Sequence, residues 1–260
     1  MLETIIGILV GVCVGQILNL WIYCISQEES INYESSYCIK CRQRLGARVL
    51  ESFSRYFDFK TKHRHYKKNV DSQYIWIETL NAILYGVSIY NLGITLQGIM
   101  ICILISFMIV LSVVDMRYML LPTKVIVAGS SVAMGIRLIG SIFYRDTDFL
   151  LQGIWGGVVG YGILALLFFA SVYLFKKESM GYGDVRYLGM IGVFTSWQVV
   201  LLTLFIGSLI GSVYGIIQLR VRKESEPFPF GPFMSLGALI SIFYGMSLIG
   251  WYMNMCGFKM

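Results

Sequence analysis

The sequence predicts an all-α, polytopic membrane protein with about eight transmembrane helices. Of its 260 residues, 57% are hydrophobic and only 14% are charged, and the mean hydropathy is +0.69. The apolar residues form runs of about 20, the length of helix that crosses a hydrocarbon core of about 30 Å. Soluble domains carry far more charge, so this composition excludes an ordinary soluble fold.

Most of the apolar runs have the length of a single transmembrane helix. One segment, 185–219, is 35 residues long, and as one helix it would extend about 52 Å, too far for a single crossing. A polar break at Thr195–Gln198 divides it, so we expect two helices there. The other predicted spans are residues 3–24, 76–93, 97–114, 122–143, 149–175 and 230–254.

The distribution of positive charge supports eight spans. With the N-terminus outside, 18 of the 21 Lys and Arg residues fall in inner segments, as the positive-inside rule requires. The exceptions are Arg137, Arg145 and Lys259. A single helix across 185–219 would move the basic cluster 220–223 to the outside. The net charge of +6 therefore indicates orientation in a membrane with lipids as neighbours, and not a nucleic-acid partner.

The chain divides into three predicted parts. Residues 1–25 form the first transmembrane helix. We expect it to be retained, because the apolar run Ile5–Ile25 has no positive segment before it and no small-residue cleavage site after it. Residues 26–75 form a long inner loop, large enough for a small metal-binding subdomain. Residues 76–260 form a multi-helix membrane domain.

Two aspartates lie at helix ends on the predicted inner face. Asp115 follows the apolar run Ile99–Val114, and Asp184 opens the span that begins near residue 185. A carboxylate at the hydrocarbon boundary is costly, so each is a candidate functional residue. Two carboxylates within hydrogen-bonding reach share one proton, which leaves one to activate water and one to protonate a leaving group. Amide hydrolysis needs both roles, so we predict that Asp115 and Asp184 are catalytic.

The glycines before Asp184 fit this interpretation. Gly181 and Gly183 remove side chains around the carboxylate. Their absence would let a peptide backbone approach closely and let the chain bend into the helix. We therefore predict that both glycines support the active site.

Other interpretations of the two aspartates remain open at this point. Asp184 could be a helix N-cap, and Asp115 a boundary residue paired with Arg117 or Arg186. A proton- or ion-coupled carrier could use the same carboxylates. A carrier predicts two-fold internal pseudo-symmetry and acids near mid-membrane, and the sequence has neither.

Four segments resemble one known family. GYGDVR (181–186) resembles the GxGD motif of intramembrane aspartyl proteases, and its pairing with DMRYMLLP (115–122) resembles the type IV prepilin peptidase family. GQILNLWIY (15–23) is similar to that family's first-helix segment, and PFPFGPF (227–233) to its Pro-Phe-Gly-Pro stretch. The prolines of the last segment also fit a simple structural role, since they end one helix and start the next. A role in substrate gating is the alternative.

The resemblance implies a function. It indicates an aspartic-type endopeptidase that removes the short basic leader of prepilin-like proteins, just before the apolar helix that later builds a type IV pilus or secretion pseudopilus. Cleavage would occur at the cytoplasmic face of the bacterial inner membrane, with Asp115 and Asp184 as the catalytic dyad and no cofactor. Arg186 would hold the substrate or a nearby carbonyl, or act as a positive-inside anchor.

Many members of this family also methylate the new N-terminal amine with S-adenosylmethionine, and carry two CxxC pairs suited to zinc. CIKC (38–41) matches the first pair, whereas HRHY (63–66) stands where the second would be. The candidate zinc ligands are therefore Cys38, Cys41, His63 and His65. The alternative is a decayed metal site whose histidines belong to a basic run on anionic lipid, which would leave methylation in doubt. This departure also admits an inactive assembly scaffold as a rival function. Glu78, at the entry to the predicted second helix, matches an acidic position of the family pattern. The alternative is that it only marks the membrane boundary of that helix.

Overall fold

The computed structural model describes residues 1–28, 71–175, 181–222 and 228–255. Within these ranges the chain forms eight α-helices and no strand. The helices are α1 (Leu2–Glu28), α2 (Asp71–Leu92), α3 (Leu96–Tyr118), α4 (Thr123–Tyr144), α5 (Thr147–Phe175), α6 (Tyr182–Phe194), α7 (Trp197–Arg222) and α8 (Gly231–Met255). The prediction of an all-α, polytopic membrane protein is confirmed.

The predicted break in the long apolar segment is also present. Residues 195 and 196 separate α6 from α7. Among the described helices, five are long and apolar enough to cross a membrane: α1, α3, α4, α5 and α7. α6 has 13 residues and is about 20 Å long, shorter than the hydrocarbon core of about 30 Å. The number of complete crossings therefore stays a prediction.

The chain forms two compact units, Met1–Ile94 and Thr95–Met260. The first contains α1 and α2, and glycines spaced four residues apart on α1 bring their backbones together. A Cβ atom on Gly11 would lie 2.8 Å from Ala82 Cα, and one on Gly15 would lie 2.9 Å from Glu78 Cα. Small residues permit this approach in membrane helix pairs. The predicted division at residue 76 stays a prediction, because it depends on the loop outside the described residues.

The second unit surrounds α6, which contacts each of the other five helices of that unit. The contact with α5 is made through backbone. A Cβ atom on Gly156 would lie 2.2 Å from the Gly192 carbonyl oxygen, and one on Gly160 would lie 2.7 Å from the Leu188 oxygen. Glycine at these positions therefore lets α5 and α6 pack at van der Waals distance.

A buried arginine caps the C-terminal end of α6. The last carbonyl groups of a helix have no partner within it, and hydrocarbon offers none. Arg137 of α4 is only 3% exposed. Its Nε donates to the Val193 carbonyl at 2.6 Å and its Nη2 to the Phe194 carbonyl at 3.0 Å. Its Nη1 also donates to the Phe149 carbonyl, and its Nη2 to the Thr195 carbonyl. The sequence showed Arg137 only as an exception to the positive-inside rule, and these hydrogen bonds explain how its charged group is buried.

Candidate active site

Asp115 lies in the last turn of α3 and is 5% exposed. The helix ends at Met119, which adopts the left-handed conformation (φ 52°) and donates its amide to the Asp115 carbonyl at 2.8 Å. Pro122 then occupies the N-cap position of α4, where a missing amide hydrogen costs little. This short connection fixes Asp115 at the end of its helix, as the sequence predicts.

Asp184 lies in the first turn of α6 and is 7% exposed. The N-cap is Gly181, and the Asp184 amide donates to the Gly181 carbonyl at 3.1 Å. Asp184 is therefore not the N-cap of this helix. Its Oδ1 atom is buried and has no hydrogen-bond partner among the described residues. The dipole of α6 favours a negative charge at this position by about 0.3–1 kcal/mol, whereas burial of an oxygen without a partner costs about 1–3 kcal/mol and favours the neutral acid.

The two aspartates come from different helices and lie close enough to interact. The Asp115 carboxylate acts electrostatically on Asp184, and both act on the hydroxyl of Tyr187. In the described parts of the chain, neither carboxylate forms an ion pair with Lys or Arg. The arrangement therefore does not match a pair of ordinary ion-paired boundary residues.

Gly231, the first residue of α8, holds one of the carboxylates. Its amide donates to Asp115 Oδ2 at 2.8 Å. A Cβ atom on Gly231 would lie 2.7 Å from the same oxygen, so a larger residue would push the carboxylate away. Pro232 follows in the first turn of α8, a position that tolerates proline.

An aromatic cluster fixes the segment that leads into Gly231. The rings of Tyr214, Phe228 and Phe233 have centroids 5.1 to 5.7 Å apart. Phe230 packs over Gly211 of α7, where a Cβ atom would lie 3.3 Å from its ring. Such contacts between rings are favourable beyond the area they bury. The segment thus has a structural role, consistent with starting the next helix.

A hydroxyl network lies behind the aspartates. The Tyr187 hydroxyl is 2.6 Å from Ser235 Oγ, which is also 2.6 Å from Ser112 Oγ. None of these three residues was predicted from the sequence. A signal existed for two of them, since Tyr187 follows Asp184 by three residues and Ser112 precedes Asp115 by three. Positions three apart share a helix face.

The two predicted support glycines have different surroundings. Gly181 is exposed, and a Cβ atom there would meet only Asp184 Oδ2, at 3.3 Å. Gly183 is packed, since its Cβ would lie 2.8 Å from Leu121 Cβ in the connection after α3. Gly183 therefore lets that connection pack against the start of α6, and Gly181 leaves the approach to Asp184 open.

Arg186 does not lie beside the aspartates. Two residues along a helix correspond to a rotation of about 200°, so Arg186 points away from Asp184. Its Nη1 donates to the Thr123 hydroxyl, and its guanidinium lies 4.6 Å from the centre of the Tyr182 ring. Its predicted contact with substrate stays a prediction.

The candidate zinc ligands Cys38, Cys41, His63 and His65 lie outside the described residues. Within the described ranges, no group of three or more His, Cys, Asp or Glu side chains could hold a metal ion. The zinc prediction is therefore untested by this structure.

The fold and the site define a polytopic, all-helical membrane protein with two buried aspartates at the ends of different helices. The model of the type IV leader peptidase family matches residues 102–216, and that of the bacterial A24 peptidase N-terminal domain matches residues 9–92. A prepilin leader peptidase/N-methyltransferase of Xanthomonas campestris is 30% identical over 202 residues, which cover 76% of this chain and 68% of the relative. The chain belongs to the type IV leader peptidase family, and the resemblance seen in the sequence is confirmed.

Two further relatives carry the same name. The protein from Pseudomonas putida is 27% identical over 226 residues, covering 86% of this chain and 77% of the relative. The protein from Pseudomonas aeruginosa is 29% identical over 197 residues, covering 74% of this chain. The chain spans 66% of this relative's length and 64% of the length of the Stutzerimonas stutzeri relative. No solved structure gives a significant match.

Proposed function

We propose that this protein is an aspartic-type endopeptidase that removes the basic leader of prepilin-like proteins at the cytoplasmic face of the bacterial inner membrane. The observation that carries the proposal is the meeting of Asp115 and Asp184 from two different helices, where neither carboxylate forms an ion pair with a described Lys or Arg. Membership of the leader peptidase family supports the peptide substrate.

The two carboxyl groups have different hydrogen-bond partners, and this difference suggests their roles. Asp115 accepts a bond from the Gly231 amide at the start of α8, which stabilises a negative charge. Asp184 Oδ1 has no described partner, and a buried carboxyl oxygen without a partner favours the neutral acid. We therefore assign Asp115 as the base and Asp184 as the acid.

The reaction follows from these roles. Asp115 takes a proton from a water molecule held between the two carboxyl groups, and the water oxygen bonds to the scissile carbonyl carbon. Asp184 gives its proton to the amide nitrogen as the C–N bond breaks. The proton on Asp115 then returns to Asp184, so both groups are restored and no covalent intermediate forms. The activity would follow the protonation of the pair as a unit.

N-methylation of the new N-terminus is a second proposed step, supported by the names of the relatives. S-adenosylmethionine would supply the methyl group. The step depends on residues 26–75, most of which lie outside the described ranges, and zinc at Cys38, Cys41, His63 and His65 remains part of this proposal.

The test is leader removal by the purified protein in detergent, with a prepilin-like substrate and mass spectrometry of the products. Asp115→Asn and Asp184→Asn keep the size of each side chain and remove the carboxylate. Asp148→Asn, at an exposed position in the first turn of α5, is the matched control. We expect both dyad variants to lose cleavage and the control to retain it.

Two outcomes would count against the proposal. Cleavage by either dyad variant would exclude the two-aspartate mechanism, and a wild-type protein that cleaves no leader would favour the carrier or scaffold functions. An added mass of about 14 Da on the mature product, seen only with S-adenosylmethionine, would establish methylation.

A further inference from the structure

A cavity of about 830 Å³ lies between α4, α5 and α6. From α6 it is lined by Arg186, Gly189, Met190 and Val193, each rotated by at least about 120° from Asp184 around the helix. The cavity therefore lies on the side of α6 away from the aspartates. It is separate from the proposed catalytic site.

The cavity is long and largely open. Along α4 its lining extends from Thr123 to Leu138, which corresponds to about 22 Å of helix. Gly135 lies between these ends, and a Cβ atom on it would meet no atom within 4 Å. At Gly135 the space is therefore unfilled by protein.

The inner end of the cavity is polar and positively charged. Arg186 and Thr123 lie there, together with the hydroxyl of Tyr161, which hydrogen-bonds to Tyr182. Arg186 donates to the Thr123 hydroxyl and forms no ion pair with a described carboxylate. A guanidinium has five N–H donors, so several remain for an anion. The remaining lining is mainly apolar or small, as at Val127, Gly157 and Met190.

The length and the charge of the cavity together favour one class of occupant. A phospholipid extends through one leaflet, about half of the 40–45 Å of a bilayer with its head groups, and so about 20–22 Å. A transmembrane helix brings an apolar surface and no anionic group to Arg186, whereas a phospholipid brings a phosphate that a guanidinium binds well. A single lipid with an anionic head group fits both the length and the charge.

We propose that this cavity binds one anionic phospholipid of the inner leaflet. The phosphate contacts Arg186 and the hydroxyls beside it, and an acyl chain extends along α4 past Gly135. This binding is independent of the proposed peptidase function. The bound lipid would hold the first turns of α6 at the membrane surface.

The test measures binding of phosphatidylglycerol and phosphatidylcholine to the full-length protein in detergent by native mass spectrometry. Gly135→Leu fills the cavity without meeting protein atoms at its Cβ. Gly162→Leu is the matched control, because its Cβ also has open space around it and Gly162 does not line the cavity. Arg186→Gln removes the charge at the inner end.

We expect wild type and Gly162→Leu to retain one phosphatidylglycerol about fivefold more tightly than phosphatidylcholine, the preference one arginine confers. Gly135→Leu should lose both lipids, and Arg186→Gln should bind them equally. Added phosphatidylglycerol should raise the melting temperature of wild type and Gly162→Leu most, that of Arg186→Gln less, and that of Gly135→Leu not at all, because a ligand stabilises the state that binds it.

Unchanged lipid retention by Gly135→Leu would overturn the proposal, as would equal binding of the two lipids to wild type. Retained lipid with a raised KM for prepilin-like substrate in Gly135→Leu would instead assign the cavity to the substrate helix. Because retention and melting are measured without substrate, their outcome is separate from that of the cleavage test.

Discussion

The Gly231 amide donates a hydrogen bond of 2.8 Å to Asp115 Oδ2, joining residues 116 positions apart in the chain. This bond connects the end of α3 to the start of α8, where amide hydrogens have no partner within the helix. It also explains the glycine in the Pro-Phe-Gly-Pro stretch, because a Cβ atom at this position would lie 2.7 Å from the carboxylate oxygen.

Gly231→Ala should lower leader cleavage by about tenfold or more. The added methyl group displaces the Asp115 carboxylate from its amide donor, and a hydrogen bond to a charged group contributes about 1.5–3 kcal/mol. Gly250→Ala on the same helix is the control, since a Cβ atom on Gly250 has open space. The measurement is the initial rate of cleavage for the two variants. Equal rates would contradict the proposed role of this hydrogen bond.

Tyr187→Phe should reduce stability by about 1 kcal/mol, the typical contribution of one buried hydrogen bond. The variant removes the hydroxyl that contacts Ser235 and interacts with both aspartates. Cleavage should be slower, with KM for the substrate unchanged, because this fully buried side chain does not contact substrate. Tyr244→Phe, exposed on α8, is the control. A changed KM with an unchanged rate would disprove this interpretation.

Arg137→Met should destabilise the protein by at least about 2 kcal/mol, because an unsatisfied buried polar group costs about 1–3 kcal/mol. The variant removes the donor for the carbonyls of Val193 and Phe194 at the end of α6. Arg137→Lys should give an intermediate loss, since one ammonium cannot reproduce the geometry of the guanidinium. Thermal unfolding in detergent is the measurement.

Arg145→Met provides the comparison for Arg137. Arg145 is an exposed arginine at the end of α4, so its replacement should leave the melting temperature nearly unchanged. A similar loss in both variants would show that charge alone, and not the contact with α6, stabilises the protein.

Gly11→Val should separate α1 from α2. The added side chain would overlap Ala82, whose Cα lies 2.8 Å from the Cβ position, and would disturb the 2.7 Å bond from Asn81 Nδ2 to the Gly11 carbonyl. We expect a lower melting temperature. Cys13→Val, at an exposed position on the same helix, should have little effect. A stable Gly11→Val protein would show that this close packing is dispensable.

Local sequence determined much of the fold. The lengths of the apolar runs and the polar residues at Thr195 and Ser196 predicted the helices and the break between α6 and α7, because bilayer thickness and helix rise limit each span. The cost of a carboxylate at the membrane boundary indicated Asp115 and Asp184 as candidate functional residues. Each of these features depends on a residue and its immediate neighbours in the chain.

The tertiary structure decided which distant groups meet. Gly231 meets Asp115 across 116 residues, Ser235 meets Ser112 across 123, and Arg137 meets Val193 across 56. Such contacts depend on how six helices pack, and no periodicity in one segment encodes them. Helix rotation likewise placed Arg186 on the face opposite Asp184, where it lines a separate cavity. The sequence alone therefore identified the carboxylates, and packing determined their hydrogen-bond partners.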